Sequence, residues 1–90
     1  MDVRSLVAWN LRRLRVMREI SQDDLALAAQ IERAYVGHLE RGNKNPTVLT
    51  LSKLAEAMDC EITEFFSPIP KGQEELEPLR AGRKKAGSTN

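Results

Sequence analysis

The chain has 90 residues, of which 41% are hydrophobic and 30% are charged, and its formal net charge is +1. A chain of this length builds one domain with one modest core, since folding buries only about 60% of its surface. No run of about 18 apolar residues is present and no apolar segment lies near its start, so we expect neither a membrane span nor a secretory signal. Cys60 is the only cysteine, which excludes an internal disulfide and leads us to expect a cytoplasmic protein.

The sequence has none of the patterns typical of a catalytic or metal site. It contains no nucleophile paired with a base, no metal-ligand cluster and no phosphate-binding glycine loop. We therefore expect no enzyme, no cofactor, no metal and no small-molecule substrate. Charge is uneven instead: residues 1–44 carry eight Lys/Arg against six acids, residues 45–70 one against four, and residues 71–90 five against three. Such basic stretches can attract phosphate, although they also fit an ordinary solvated surface.

Apolar residues at helical spacing predict a first helix from Val3 to about Arg18. Its apolar stripe consists of Val3, Leu6, Val7, Leu11, Leu14 and Met17. Trp9 lies off this stripe, and the pattern leaves open whether it covers the edge of the core or contacts another subunit. A second helix is predicted to begin after Ser21, whose hydroxyl can accept from the backbone of Asp24, and to end near Ala29. Its inner face consists of Leu25, Ala26 and Ala29.

A third helix is predicted from Arg33 to about Arg41, ending at Gly42. Val36 and Leu39 face inward, which leaves Arg33, Ala34, Gly37, His38 and Arg41 outward. Thr47 is the predicted N-cap of a fourth helix over Val48 to about Met58, whose apolar face consists of Leu51, Leu54, Ala55 and Met58. Ile62, Phe65 and Phe66 indicate a fifth, short helix. We expect an all-α domain over residues 1–68 and a flexible tail over residues 69–90.

The second and third helices form the most informative pair. They are separated only by Gln30–Ile31–Glu32, and small Ala26 lies where two steeply crossing helices would approach. This arrangement is typical of a helix-turn-helix, whose second helix enters the DNA major groove.

Four further motifs are dispersed along the chain: LRRLR at Leu11–Arg15, SQDDLA at Ser21–Ala26, YVGHLERG at Tyr35–Gly42 and NPTVLTLSKLAEAM at Asn45–Met58. Through them the chain resembles the phage-repressor-like (Xre/Cro-type) helix-turn-helix regulators over about residues 6–66. The resemblance implies a compact five-helix, lambda-repressor-like domain. The stretch IERAYVGHLERGNKN is also similar to the controller proteins of restriction–modification systems.

The sequence departs from the family pattern at two positions. The family usually has Gly at the turn, in a left-handed conformation, where this chain has Gln30. A residue with a Cβ costs roughly 1 kcal/mol there. Glu32 is also a poorer helix cap than Ser, Thr or Asp.

The predicted DNA-binding residues are Gln22, Arg33, Ala34, Tyr35, His38, Arg41, Asn43 and Lys44. Arg33 opens the recognition helix and can pair with guanine, its alternatives being a phosphate contact or a salt bridge with Glu32. Ala34 can touch a thymine methyl or merely favour the helix, and Tyr35 can bind phosphate or only pack. His38 faces outward towards base or phosphate.

The resemblance implies the remaining roles. Gln22 would bind a phosphate and support the recognition helix, while Arg41, Asn43 and Lys44 would follow the phosphate backbone. Arg15 would pair with Glu40 and tie the first helix to the third.

One recognition helix covers few base pairs, so proteins of this kind bind as dimers on half-sites about 34–36 Å apart. The predicted dimer surface is Ile62, Phe65 and Phe66, with one phenylalanine buried and the other exposed. The sequence thus predicts a transcriptional regulator that binds a palindromic operator in double-stranded DNA as a homodimer through residues 33–41. Whether it represses or activates stays open. The alternative is an antitoxin-like module that holds a protein partner through a tail containing Leu76 and Leu79.

Overall fold

The structure, a computed structural model, describes residues 2–72 of the chain. Four α-helices and one 3-10 helix follow one another: α1 (Val3–Met17), α2 (Gln22–Ala29), α3 (Arg33–Glu40), α4 (Val48–Met58) and the 3-10 helix Ile62–Phe66. The all-α class is confirmed, with no strand within residues 2–72. The fifth helix is a 3-10 helix rather than an α-helix, consistent with its five-residue length and the proline that follows at position 68. Of the tail predicted from position 69, residues 73–90 lie outside the described residues.

Three of the four α-helices begin at a side chain that caps the first turn. Asp2 accepts from the backbone N–H of Arg4, Ser21 from that of Asp24 and Thr47 from that of Thr50. The caps predicted at Ser21 and Thr47 are therefore confirmed. Helix α3 is the exception, since the side chain of Glu32 makes no capping hydrogen bond within residues 2–72. A glutamate side chain is poorly suited to that role.

All four α-helices end in the same backbone motif. A residue in the left-handed conformation lies at the C-cap of α2 (Gln30) and α4 (Asp59), and one residue after the C-cap of α1 (Glu19) and α3 (Gly42), with φ between 55° and 76°. In each case the following N–H donates to a carbonyl five residues earlier, as Ile31 does to Ala26 at 2.9 Å. This is the Schellman arrangement, which satisfies carbonyls at the helix end. Of the four residues, only Gly42 adopts the left-handed conformation without steric strain from a Cβ.

The core lies between the four α-helices and the 3-10 helix, which packs on α1 and α4. It consists of Val7, Leu11, Leu14, Leu25, Ala26, Ala29, Val36, Leu39, Leu51, Leu54, Ala55, Met58 and Phe65. The predicted inner faces of α2, α3 and α4 are confirmed. The predicted stripe of α1 is wrong at both ends, because Val3 is 58% and Met17 66% exposed. Fifteen residues span about 22 Å, so α1 extends beyond the eight-residue α3 that packs on it.

Asn10 of α1 holds the 3-10 helix in place. Its side chain is fully buried, and its amide nitrogen donates to the carbonyls of Phe65 at 3.0 Å and Ser67 at 2.8 Å. Its amide oxygen accepts two hydrogen bonds from Arg13, whose guanidinium lies 5.9 Å from the ring centre of Trp9. Trp9 is half-buried and lines a surface groove with Pro68 and Pro70. It therefore covers the junction between α1 and the chain after the 3-10 helix.

The two adjacent phenylalanines point in opposite directions. Phe65 is fully buried and Phe66 is 45% exposed, which confirms that one is inside and the other outside. The place of Phe65 in the predicted dimer surface is corrected, because its ring is enclosed by its own chain. Ile62 is partly buried at the edge of the core. No helix within the described part of the chain is long and apolar enough to span a membrane.

Candidate nucleic-acid interface

Helices α2 and α3 form a compact pair with a tight connection. Gln30 has φ 59° and ψ 47°, which is the left-handed conformation that the family resemblance implied at this turn. Ala26 is 3% exposed at the packed side of α2, and a small side chain there permits close approach of α3. The helix-turn-helix geometry is confirmed by these bounds and by the turn.

A buried carboxylate anchors the end of α3 to two other helices. Glu40 is 4% exposed, and Arg15 of α1 donates to it through Nε at 2.5 Å and through Nη2 at 3.1 Å. Gln22, the first residue of α2, donates through Nε2 to Glu40 Oε1 at 2.9 Å. The remaining nitrogen of Arg15 donates to the carbonyl of Ile20 at 2.8 Å. The Arg15–Glu40 pair implied by the family resemblance is present, and Gln22 supports α3 as expected.

The outward side of α3 carries two arginines that lie over one glycine. Arg33 and Arg41 are exposed, four residues before and after Gly37. A Cβ added at Gly37 would lie 3.1 Å from Nη1 of Arg33 and 3.5 Å from Nη1 of Arg41. Gly37 is on the predicted outward side, but it is buried because the two guanidinium groups cover it. Arg41 also places Nη2 3.0 Å from Nδ1 of His38.

Arg33 forms an ion pair that the sequence did not predict. Its Nε lies 2.8 Å from Oδ1 of Asp23, in the first turn of α2. The prediction considered Glu32, which precedes Arg33 in the chain, as the salt-bridge partner. Asp23 is ten positions away, and only the crossing of α2 over α3 brings it near. A sequence search for charge pairs at helical spacing does not find it.

The other predicted binding residues surround this face. Ala34 is exposed on α3, and Tyr35 is half-buried against the edge of the core. Asn43 and Lys44 are exposed directly after Gly42, where the N–H of Asn43 donates to the carbonyl of His38 at 3.0 Å. The structure thus brings the residues of α3 together on one side and places the predicted phosphate-binding loop at the end of that helix.

A helix-turn-helix family model matches residues 11–65 of the chain. This protein belongs to the helix-turn-helix family. It is 38% identical over 68 residues to the HTH-type transcriptional regulator y4dJ of Sinorhizobium fredii, covering 76% of this chain and 88% of that protein. It is 33% identical to the control protein C.SmaI of Serratia marcescens, covering 74% and 80% of the two chains.

The crystal structure of the restriction–modification controller protein C.AhdI from Aeromonas hydrophila superposes with a TM-score of 0.68 at 38% identity. The match covers 70% of this chain and 96% of that one. These likenesses agree with the resemblance to regulators of the controller type. This helix-turn-helix protein is a DNA-binding transcriptional regulator, and the antitoxin-like alternative is not favoured.

Proposed function

We propose that this regulator recognises an operator in double-stranded DNA by inserting α3 into the major groove. The observation that carries the proposal is the buried Arg15–Glu40–Gln22 cluster. It fixes α3 against α1 and α2 through buried hydrogen bonds, so the orientation of the exposed side of α3 is set by the packed interior of the domain. A rigid helix that presents two arginines outward suits groove entry, because base contacts require precise placement.

Residues near the start of α3 would read bases. Arg33 can donate two hydrogen bonds to O6 and N7 of a guanine. Ala34, which is exposed beside it, can touch a thymine methyl. His38 lies one turn further along and would contact a base or a phosphate. Tyr35 would place its hydroxyl on a phosphate while its ring packs on the domain.

The remaining predicted residues would hold the DNA backbone. Asn43 and Lys44 are exposed after the end of α3, and Arg41, which precedes them in the chain, is also exposed. Gln22 uses one N–H of its amide for Glu40, which leaves a second N–H for a phosphate oxygen. Such contacts fix the register of the protein on the duplex without reading sequence.

We infer that two copies bind together, because a single α3 covers only a few base pairs. A symmetric dimer would place two recognition helices on half-sites about 34–36 Å apart and so require a palindromic operator. Phe66 and the partly buried Ile62, both in the 3-10 helix, are the apolar residues that we assign to this contact. The protein would act in the cytoplasm by occupying DNA, without catalysing a reaction.

Selection from randomised duplex DNA at one fixed salt concentration tests this function. Wild-type protein should enrich a pseudo-palindrome with half-site centres about one helical turn apart. Arg33→Ala should weaken binding to that site by about 1–3 kcal/mol and relax one position in each half-site. Lys53→Ala removes a positive charge from an exposed position of α4 and should leave the selected sequence unchanged. Wild-type protein that enriches no sequence over random DNA would contradict the proposal.

A further inference from the structure

Asp23 occupies only one edge of the Arg33 guanidinium. Oδ1 of the carboxylate lies 2.8 Å from Nε in an ion pair, and the terminal nitrogen Nη1 lies over Gly37. A guanidinium has five N–H donors in a planar fork, so a bond at Nε leaves the terminal donors available. Bidentate recognition of guanine needs two donors from that fork.

We propose that Asp23 is a positioning residue that orients Arg33 towards a guanine and turns it away from phosphate. This inference rests on the proposed function, since it requires α3 to enter the major groove. The carboxylate partly neutralises the charge of Arg33, which weakens the attraction to a phosphate anion. The interaction of Arg33 with a guanine is weakened less, because O6 and N7 of the neutral base accept hydrogen bonds and do not depend on the net charge of the donor group.

Gly37 provides the surface on which the oriented side chain rests. Without a Cβ, the helix backbone lets the Arg33 guanidinium lie directly against it. The methyl of an alanine at position 37 would lie 3.1 Å from Nη1 of Arg33. Because Nη1 is at the far end of a flexible side chain, the Arg33 side chain would move and the helix would stay in place. Position 37 therefore controls where Arg33 points without controlling whether the domain folds.

Arg41 lies over the same glycine but has a different neighbour. Its Nη2 approaches Nδ1 of His38, whereas the carboxylate of Asp23 binds Arg33. Arg41 therefore keeps its full positive charge towards the DNA and suits a phosphate contact. The two arginines thus divide base recognition and backbone binding between them.

The ion pair between Asp23 and Arg33 contributes little in the free protein. Their side chains are 79% and 53% exposed, and water and salt screen such pairs strongly. Entry into the major groove displaces water and lowers the local dielectric, so the same contact becomes stronger in the complex. The positioning effect should accordingly appear as base preference on DNA rather than as stability.

The test compares Asp23→Ala with Asp24→Ala, because both remove an exposed carboxylate from the first turn of α2. Binding is measured on the selected operator, on operators with the guanine opposite Arg33 replaced, and on random duplex DNA. Both variants should bind random DNA slightly more tightly, since each loses one negative charge near phosphate. Only Asp23→Ala should reduce the preference for that guanine, by about five- to tenfold. This is part of the base discrimination that a bidentate arginine–guanine contact provides.

Gly37→Ala supplies an independent arm. It should also reduce the preference for the guanine, while its melting temperature rises because alanine favours the helix over glycine. Equal base preference in Asp23→Ala and Asp24→Ala, or a sharper preference in Asp23→Ala, would overturn the positioning role. If that happens while Arg33→Ala still relaxes the site, the operator function stands and only this inference fails. Wild-type protein without any base preference would contradict the operator function itself.

Discussion

Arg15 of α1 and Glu40 of α3 meet in a two-bond ion pair inside the domain. The side chains are 14% and 5% exposed, and Gln22 donates a further hydrogen bond to the same carboxylate. An isolated buried carboxylate is costly, so all three contacts are needed to offset its desolvation. The pair ties the end of the recognition helix to α1, and the hydrogen bond from Gln22 ties it to α2.

Removing one partner of this pair should destabilise the fold strongly. Arg15→Met keeps much of the side-chain volume but leaves Glu40 without its cation, and we expect the free energy of unfolding to fall by about 3 kcal/mol. Urea denaturation followed by circular dichroism measures this. The double variant Arg15→Met/Glu40→Met should recover a large part of the loss, because no charge is then buried. Additive losses in the double variant would contradict a direct coupling between the two residues.

Local signals explain what the sequence could predict. Caps at Ser21 and Thr47 and the inner faces of α2, α3 and α4 depend on neighbours within one or two helical turns, whereas the left-handed turn at Gln30 was expected from the family resemblance. Contacts between distant segments were missed. The burial of Asn10 depends on the 3-10 helix, more than 50 residues later in the chain.

The candidate site likewise contains features that local sequence signals predict and features that depend on contacts between distant segments. The outward placement of Arg33, Ala34 and Arg41 follows from helical periodicity and is confirmed. The Arg33–Asp23 pair and the burial of Gly37 under arginines depend on helix crossing and on the path of long side chains. Periodicity does not contain that information.

Gln30→Gly should stabilise the domain by about 1 kcal/mol, since a left-handed residue with a Cβ is strained and glycine is not. Gln30 is exposed and has φ 59°, so no packing is lost. Gly42→Ala is the matched reverse change at the equivalent position of α3, where φ is 76° and an added Cβ meets its nearest atom at 3.9 Å. It should cost about the same amount. Melting curves that move in the same direction for both variants would refute the backbone explanation.

Asn10→Ala should lower the free energy of unfolding by about 2 kcal/mol, because the carbonyls of Phe65 and Ser67 lose their buried donor. Amide hydrogen exchange should accelerate first in residues 62–67, which Asn10 attaches to α1. Asn45→Ala, at an exposed asparagine, is the control and should change stability little. Uniform acceleration across all helices would show that Asn10 does not act locally.

Cys60 should react slowly with alkylating reagents in the folded protein. Burial raises the pKa of its thiol above the ordinary value, and only the thiolate is a strong nucleophile. At pH 8 the folded chain should therefore be modified more slowly by iodoacetamide than the urea-unfolded chain, as mass spectrometry can follow. The difference should shrink as the pH rises through the thiol pKa, since both forms then ionise. Equal rates in the two states at pH 8 would contradict the burial of this thiol.

Phe66→Ser should weaken dimerisation without unfolding the chain. The ring is 45% exposed, so it contributes to the core far less than Phe65. Its loss from the proposed interface should raise the dimer dissociation constant by about tenfold or more. Leu27→Ser is the control, since it removes an 80% exposed apolar side chain from α2. Sedimentation equilibrium over a concentration series distinguishes the two variants. A dimer equally weakened by both changes, or by neither, would place the subunit contact elsewhere than beside the 3-10 helix.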